Sequence, residues 1–548
     1  MKRHEFDIVI VASPPWAISL PPLGVAYLST NLGKRGMNCF VYDLNLELYE
    51  IAAIAKRRHW DLEIINNFSP EDIGDNLFED FKVNLSDLLA ISRKTGVLAF
   101  SVNSHISCAF SAKVARCMKN VYPDKIIIFG GPGCYHSWDR RFVNKGAVDF
   151  FIIGEGEHAL FNLLEAIFQN RGVKNIAGVI DNNQEDNYGF TPAETIRNLD
   201  ELTHPDFREF DLNRYQKYLS AYPKDRALPI LISRGCVNRC SFCIDYYMQG
   251  NFRSRRPEDV VKEIIFHMTH NHTQRFEFND LLCNGNLNRL EAMCDLIIKN
   301  GLKISWSSYA TIRRDMNKEL FVKMRKAGCV SLCYGMESAS DKILGLMNKK
   351  YTSHDAQTLL TATKEAGISP HINIIVGFPQ EEDVDYIKTY DFLIENKKYI
   401  DNVANVSSFV LMPASEVGVY PKRYGIERLN GNLGWVDNNG LDLEKRIFRL
   451  NKISQLITEL NISTKIINIP EYAKVPEVDI IIPCKNEDMM TLLPSSLYDR
   501  RERGNLFLEK VRRNKIYRFL IILFLLSYTV FIQVYFYLLG IIRKIVKE

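Results

Sequence analysis

The sequence predicts an α/β protein made of two successive strand-helix series, and three observations carry that expectation. Short apolar runs rich in Val, Ile and Phe alternate with longer amphipathic stretches of helical period. The alternation runs from the start of the chain to about residue 180, lapses over a polar segment with Pro192, Pro205 and Pro223, and resumes at Ala227. Glycines follow the apolar runs, at Gly130, Gly131, Gly154, Gly156 and Gly377, where loops at the carboxyl ends of parallel strands surround a ligand crevice.

Taken in order, residues 7–12 read as a buried parallel strand, followed by the loop Ser13-Pro14-Pro15-Trp16, a helix over Leu23–Lys34 closed by Gly36, and a strand over Cys39–Tyr42. A polar, mostly helical stretch spans 46–93. The pattern then resumes with a strand at 97–102, a helix at 109–120, and strands at 125–129 and 148–153, the last running into Gly154-Glu155-Gly156-Glu157 and a further helix. Strands alternating with helices make a doubly wound parallel sheet over residues 1–180. After the linker 181–226, six strands are expected at 230–233, Arg275–Phe278, 304–308, 330–336, 371–376 and 403–411. A helix over 257–267 and others around Arg289, Glu319, Asp355 and Tyr386 separate them, giving a second α/β domain over 227–425. Residues 426–515 read as mainly helical.

Composition narrows the class. At 548 residues the chain should form about three domains, and its 46% hydrophobic content supports packed cores. Twelve unevenly spaced cysteines argue for a reducing compartment, and the charged N-terminus with its short apolar run does not resemble a signal peptide. A net charge of +4, with much of the excess near the end, implies no nucleic-acid surface.

The segment Ile-Ser-Arg-Gly-Cys-Val-Asn-Arg-Cys-Ser-Phe-Cys places Cys236, Cys240 and Cys243 at C-x3-C-x2-C spacing. Three thiolates can hold three irons of a 4Fe-4S cluster and leave the fourth open. A structural zinc site needs four ligands, yet the nearest histidines, His267, His270 and His272, lie a helix length downstream. Buried unligated thiols do not suit a polar, glycine-preceded loop. The pattern resembles the radical SAM family, in which the open iron chelates S-adenosylmethionine (SAM) and passes it an electron, giving a 5'-deoxyadenosyl radical. Phe242 fits the family's aromatic beside the adenine.

That resemblance extends along the second domain, which is similar to the family's partial (β/α)6 barrel, with its active site at the carboxyl ends of the strands. Phe278-Asn279-Asp280 stands where a second-strand motif approaches the SAM amino group, implying Asp280. Gly335-Met336-Glu337-Ser338 matches the fourth-strand G-x-E-S, implying Glu337 at the ribose, and Lys342-Ile343-Leu344 and Met347-Asn348-Lys349 extend the match. Gly377-Phe378-Pro379 with Glu381 matches the fifth-strand motif beside the adenine, whereas Met412-Pro413-Ala414-Ser415 matches the sixth loosely. Cys329 and Cys333, four apart on a strand, are expected to share a face as core thiols, and Cys283 to lie in the loop at the catalytic mouth.

The first domain resembles the Rossmann-like cobalamin-binding domain that precedes many radical SAM domains. The residues carrying the likeness are Pro14-Pro15, Pro22 to Leu28, Phe100-Ser101, Gly130-Gly131-Pro132 and Gly154-Glu155-Gly156-Glu157. Ser101, Gly130, Gly131, Gly154, Glu155 and Gly156 are implied at the corrin. The D-x-H-x-x-G loop that supplies an axial histidine in many cobalamin proteins is missing, so cobalamin is expected without a histidine ligand. A related sheet that binds no corrin is the alternative, and His105 is read as a loop residue.

Residues 519–542 carry no charge. As a helix they would reach ~36 Å, against a hydrocarbon core of ~30 Å, which predicts a transmembrane helix over 516–543. Lys510, Arg512, Arg513, Lys515 and Arg518 precede the run and Arg543, Lys544 and Lys547 follow it, favouring a single-pass anchor with the body on the cytoplasmic face. The expected cofactors are thus a 4Fe-4S cluster, SAM and cobalamin, with a low-potential donor such as flavodoxin or ferredoxin. The expected activity is cobalamin-dependent methylation of an unactivated carbon on a membrane lipid or lipid-linked substrate. Radical cyclisation, coupling or oxidation without methyl transfer is the alternative, and a membrane-tethered cobalamin or iron-sulfur sensor a further one.

Overall fold

The computed structural model describes residues 4–60, 70–136, 140, 143, 146–182, 193–218, 226–429 and 434–466. The expected transmembrane segment and most of 426–515 lie outside them. Among the described residues no helix is long and apolar enough to cross a membrane.

The N-terminal sheet contains β1 (Ile8–Ala12), β2 (Cys39–Tyr42), β3 (Val97–Ser101), β4 (Ile126–Gly130), β5 (Phe150–Ile152) and β6 (Val179–Asp181). Its order is β2-β1-β3-β4-β5-β6. The first five pair in parallel, whereas β6 runs antiparallel beside β5, an edge strand that the three-residue sequence Val-Ile-Asp did not announce. All five residues of β1 are buried, because helices cover both faces of the sheet. The chain order reverses at β1, whose neighbours are β2 and β3, so the ligand crevice of such a sheet opens at their carboxyl ends.

Local chemistry explains the one expected helix that differs appreciably. The helix after β3 spans His105–Val121 rather than starting near residue 109. Ser104 accepts a hydrogen bond from Ser107 N at 3.1 Å, an N-cap that turns the polar run Ser-His-Ile-Ser into a first helical turn. His105 is therefore the opening residue of a helix at the crevice rather than part of a free loop.

The second sheet is built from β7 (Ala227–Ile230), then, beyond the short ribbon β8 (Ser233–Arg234) and β9 (Arg253–Ser254), from β10 (Arg275–Phe278), β11 (Ser305–Ala310), β12 (Cys329–Glu337), β13 (Ser369–Val376) and β14 (Asn402–Ser408). All are parallel neighbours in chain order, as expected of a partial barrel. Two details differ from expectation. The first strand ends at Ile230, and Ser233-Arg234 leave it to pair antiparallel with Arg253-Ser254, so a ribbon and not the strand itself delivers the cysteine loop. Beyond the antiparallel pair β15 (Ile426–Arg428) and β16 (Val436–Asp437), helix Leu443–Glu459 leads to β17 (Ser463–Ile466), a seventh strand beside β14. Part of the segment read as mainly helical thus extends the sheet.

One hydrophobic cluster joins the two sheets. It includes Val25, Tyr27, Leu160 and Leu164 of the N-terminal helices together with Phe207, Val260, Ile264, Trp306 and Ile372. The helices Leu23–Lys34 and Gly156–Phe168 share this core with the barrel, which places the carboxyl end of β5 beside the cysteine ribbon.

Candidate active site

The cysteine loop is held at both ends by backbone geometry. Gly235 adopts φ +77°, and a Cβ there would approach Asn251 O to 2.4 Å and Gly250 O to 2.6 Å, so only glycine lets the ribbon close beneath Cys236. Cys236 bridges to Asn251. Farther along, Ser241 N donates to Met347 O at 3.1 Å and its hydroxyl to Leu346 O at 2.9 Å, while Val417 N donates to Ser241 O at 3.0 Å. The loop is thereby pinned to the segments after β12 and β14, both named by the sequence motifs.

Cys236, Cys240 and Cys243 are half-buried and unbonded to one another. Asn238 N donates to Cys236 Sγ at 3.3 Å, and the Cys243 thiol faces Asp245 Oδ2 at 3.4 Å. Burial raises all three thiols above their ordinary range. Among the described residues no three His, Cys, Asp or Glu side chains converge as the ligands of one metal ion do. Thiolates of a 4Fe-4S cluster bind three different irons, and three cysteines on one loop suit that donor set.

The residues named from the barrel motifs surround this loop in distinct ways. Phe242 packs against the apolar cluster of Ile343, Met347 and Phe378, with Lys349 Nζ 5.4 Å from its ring centroid. Glu337 is 7% exposed and takes φ +64°, a left-handed conformation costly for a residue with a side chain, at a register shift where β12 ends. Its Oε1 accepts from Lys349 Nζ at 3.1 Å, and the same ammonium donates to Gly335 O at 3.1 Å. Burial works against the Lys349 charge, but Glu337, with Tyr351 and Cys240, outweighs it and raises the pKa. Lys349 therefore stands as a fixed cation between Glu337 and Cys240, a role the motif Met-Asn-Lys does not announce.

Asp280 lies at the end of β10, 3% exposed, with both oxygens engaged by the cysteine ribbon. Ile232 N donates to Oδ2 at 3.1 Å and the Ser233 hydroxyl to Oδ1 at 2.5 Å. Burial, only partly offset by those bonds, raises its pKa to about 7. Gly377 at φ +71° donates its N–H to Glu381 Oε2 at 2.8 Å, and a Cβ there would come within 2.3 Å of Arg446 Cγ. Glu381 is buried and bound by Arg449 at 2.9 Å, so this motif joins the fifth strand to helix Leu443–Glu459.

Among the remaining thiols, Cys329 is the core residue expected, whereas its shared face with Cys333 and the open position of Cys283 are not found. Val330 bulges out of the β11–β12 register, since Trp306 faces Cys329 and Ser307 faces Ser331. The extra residue reverses the alternation: Cys329 is buried among the helices, whereas Cys333 turns to the other face and meets Asn373 Oδ1 at 3.6 Å. Cys283 is 3% exposed, and burial pushes its thiol up to about 12, so it is a core residue and not one open at the mouth.

The face bearing Cys333 carries a run of polar groups. The Ser307 hydroxyl donates to Glu277, Arg275 donates to Glu277 at 3.2 Å, and Asn402 meets His371 at 3.5 Å. The opposite face is apolar, with Phe276, Trp306, Leu332, Tyr334 and Ile372 fully buried against helices.

In the N-terminal crevice, Ser13 N donates to Ser101 O at 3.1 Å, and the buried Ser13 hydroxyl has no hydrogen-bond partner among the described residues. A Cβ at Gly131 would strike Val102 O at 2.5 Å, at Gly133 Ser104 O at 2.3 Å, and at Gly154 Ala193 Cβ at 2.9 Å. Those glycines seat loop on loop around the crevice. Gly130 borders Ile152, and Gly156 borders Leu28 at 3.3 Å. The buried Ser13 hydroxyl at the point of strand reversal fits a polar ligand such as a corrin seated there. Glu155 instead accepts from Arg234 at 3.1 Å and from Arg253 at 2.9 Å, both on the cysteine ribbon, and Glu157 binds Arg234. Tyr135, beyond β4, donates to Tyr247 O at 3.0 Å, in the short helix following Cys243. Arg253 and Tyr135 escaped the sequence reading, and Arg234 stood in the quoted cysteine segment without a role, because nothing local in a lone arginine or tyrosine marks a contact across domains.

Comparison with known proteins agrees with this geometry. Residues 230–393 match the Radical SAM superfamily. A protein of Pyrococcus horikoshii named an uncharacterized methyltransferase is 26% identical over 378 residues, covering 68% of this chain and 72% of its own length. The anaerobic magnesium-protoporphyrin IX monomethyl ester cyclase of Rubrivivax gelatinosus is 25% identical over 310 residues, covering 56% of this chain, which spans only 55% of that enzyme. Among solved structures, TsrM from Kitasatospora setae, a radical SAM methyltransferase with cobalamin and a [4Fe-4S] cluster bound, shares the fold with TM-score 0.60 at 16% identity. That match covers 78% of this chain and 80% of TsrM. OxsB, a cobalamin-dependent SAM radical enzyme, aligns with TM-score 0.54 at 17% identity, over 84% of this chain and 62% of OxsB.

Proposed function

We propose, for a chain that belongs to the radical SAM superfamily through residues 230–393, that it is an enzyme in which SAM cleavage and cobalamin act together to methylate an unactivated carbon. The radical SAM domain implies a 4Fe-4S cluster and SAM, and a reductant to supply the electron. Cys236, Cys240 and Cys243 would hold the cluster. When bound, the cluster supplies the electron that breaks the SAM sulfonium and the corrin supplies the transferable methyl group.

One observation carries the reading: the rim of the N-terminal crevice and the cysteine loop touch directly, through Tyr135 on Tyr247 and through Glu155 and Glu157 on Arg234 and Arg253. Two ligand sites joined in this way serve one reaction better than two. The fold shared with TsrM and OxsB supports the same pairing, and the relative named a methyltransferase supports methyl transfer. The chain's own residues then exclude water around Phe242, hold Lys349 cationic beside Glu337, and present a polar face for substrate.

Residues 519–542, outside the described residues, motivate the rest of the proposal. They anchor the enzyme to the cytoplasmic face of a membrane, where it acts on a lipid or lipid-linked substrate, with flavodoxin or ferredoxin as electron donor. The polar face of Glu277, Ser307 and Asn373 suits the head group of such a substrate, and not its hydrocarbon chain. Deleting 519–548 should release the enzyme from membranes and sharply reduce turnover on vesicle-borne substrate while SAM cleavage persists. Unchanged vesicle turnover would refute the lipid assignment.

The cyclase relative favours a second reading, radical ring closure or oxidation without methyl transfer. Product mass separates them: methylation adds one CH2, about 14 Da, whereas oxidative closure removes two hydrogens.

A further inference from the structure

Four charged side chains on the two domains form one network. Glu155 and Glu157 stand at the amino end of helix Gly156–Phe168, where the helix dipole favours carboxylates. Arg234 and Arg253 lie opposite each other on the ribbon β8–β9. Arg234 binds Glu155 at 3.1 Å and also Glu157, with its guanidinium 5.6 Å from the Tyr27 ring centroid. Arg253 binds both Glu155 oxygens, at 2.9 and 3.0 Å, and donates to Ile196 O at 2.7 Å and Gln249 O at 2.7 Å. Side-chain exposure is only 14% for Arg234 and Glu155, 10% for Arg253 and 6% for Glu157, so bulk solvent screens these pairs little.

The ribbon cannot easily move apart from its cysteine. Cys236 follows Arg234 by two residues, and between them Gly235 is wedged against the carbonyls of Gly250 and Asn251. A displacement of Arg234 is therefore a displacement of Cys236. On the other domain, Glu155 follows β5 by three residues, and its Oε2 accepts from Ile196 N at 2.6 Å, which fixes the carboxylate to the interdomain segment as well.

We infer that Glu155 and Glu157 are positioning residues: acting through Arg234 and Arg253, they lock the ribbon bearing Cys236 to the rim of the N-terminal crevice and so set the separation of cluster and corrin. The inference rests on the reading that the crevice holds a corrin. It gives the paired glutamates a purpose apart from direct contact with the ligand.

The test uses the full chain carrying E155Q and E157Q together, read first by hydrogen exchange without added cofactors. Residues 233–236 and 251–254 should exchange about tenfold faster or more, while β10–β13 keep their protection. Equal ribbon exchange in variant and wild type would overturn the clamp, and so would an equal loss of protection across β10–β13, which marks a general structural role. The chain is then reconstituted anaerobically with iron, sulfide and hydroxocobalamin. In the variant, the dipolar coupling between the reduced cluster and one-electron-reduced cobalamin should broaden, with recovery in E155D,E157D; a coupling as narrow as that of the wild type would overturn the inference. If the wild-type chain retains no corrin, the functional reading fails by itself, and hydrogen exchange still decides whether the clamp exists. If the double variant does not fold, E155Q alone weakens the Glu155 bonds to both arginines while sparing the Arg253 bonds to Ile196 O and Gln249 O, and is read on the same segments by the same criteria.

Discussion

Replacing Lys349 with Met tests whether a fixed cation holds the SAM-facing end of β12. The side chains of Lys349 and Glu337 are 8% and 10% exposed, and their charged atoms stand 3.1 Å apart. At that distance and an effective dielectric constant of ~20, the attraction is about 5 kcal/mol. Much of it is offset by the cost of burying both charges, so the pair's net worth is small. Breaking it is another matter, since K349M leaves the Glu337 carboxylate buried without its cation and also removes the bond to Gly335 O. Loss of one partner of a buried pair costs about 3–5 kcal/mol. The expected result is a urea midpoint lower by about 1 M or more for the barrel transition, followed anaerobically by circular dichroism in the cluster-free chain. E337Q in the same chain removes the stranded charge, so the double variant K349M,E337Q should be more stable than K349M alone, with a coupling of about 2 kcal/mol or more. A K349M midpoint within about 0.3 M of the wild type, or strictly additive single effects, would refute the buried pair as the element that holds Glu337 in its left-handed conformation.

Further outcomes follow from the same geometry. Asp280 is raised from 3.8 to about 7 because it is buried, so the folded chain binds this proton more tightly than the unfolded one. Its stabilising contribution is full below about pH 4 and is lost as the pH rises through about 7, an interval worth about 4 kcal/mol at 1.36 kcal/mol per pH unit. D280N should flatten stability between about pH 5 and 8, and an unchanged slope in denaturation across that range would show that Asp280 does not carry it. Alanine at Cys236, Cys240 and Cys243 together should abolish 5'-deoxyadenosine formation and reduce iron from about four per chain to background, so persistent SAM cleavage would sink the cluster assignment. Cobalamin supplied to the chain should be retained without protein imidazole ligation, and nitrogen superhyperfine splitting from a histidine in the paramagnetic resonance of one-electron-reduced cobalt would contradict it.

Several elements were legible because their causes are local in the chain. The runs Ile-Val-Ile-Val-Ala and Arg-Phe-Glu-Phe formed strands where the apolar pattern placed them, and helix Leu23–Lys34 spans the residues read from its period, bounded by proline and glycine. The cysteine spacing, Gly335-x-Glu337 and Gly377-x-Pro379 are short motifs whose residues lie near one another in sequence, so the order of the motifs already described a site. Strand β17 was harder to read. The tetrapeptide Ser-Thr-Lys-Ile becomes a strand by pairing with β14, a partner about 60 residues earlier, and not through an apolar period of its own.

The sequence by itself determined the two α/β units, the likeness to radical SAM enzymes and the residues most suited to hold a cluster, because periodicity and ligand spacing are properties of neighbours along the chain. Only the tertiary structure decided what those residues touch. It turned Glu155 toward Arg253 and Arg234, engaged both oxygens of Asp280 with the cysteine ribbon, and set Lys349 between Glu337 and Cys240. It also sent Cys329 and Cys333 to opposite faces through one bulged residue. Partners of this kind lie 12 to 98 positions apart, and the strength of a charge pair depends on separation and burial, which folding alone sets.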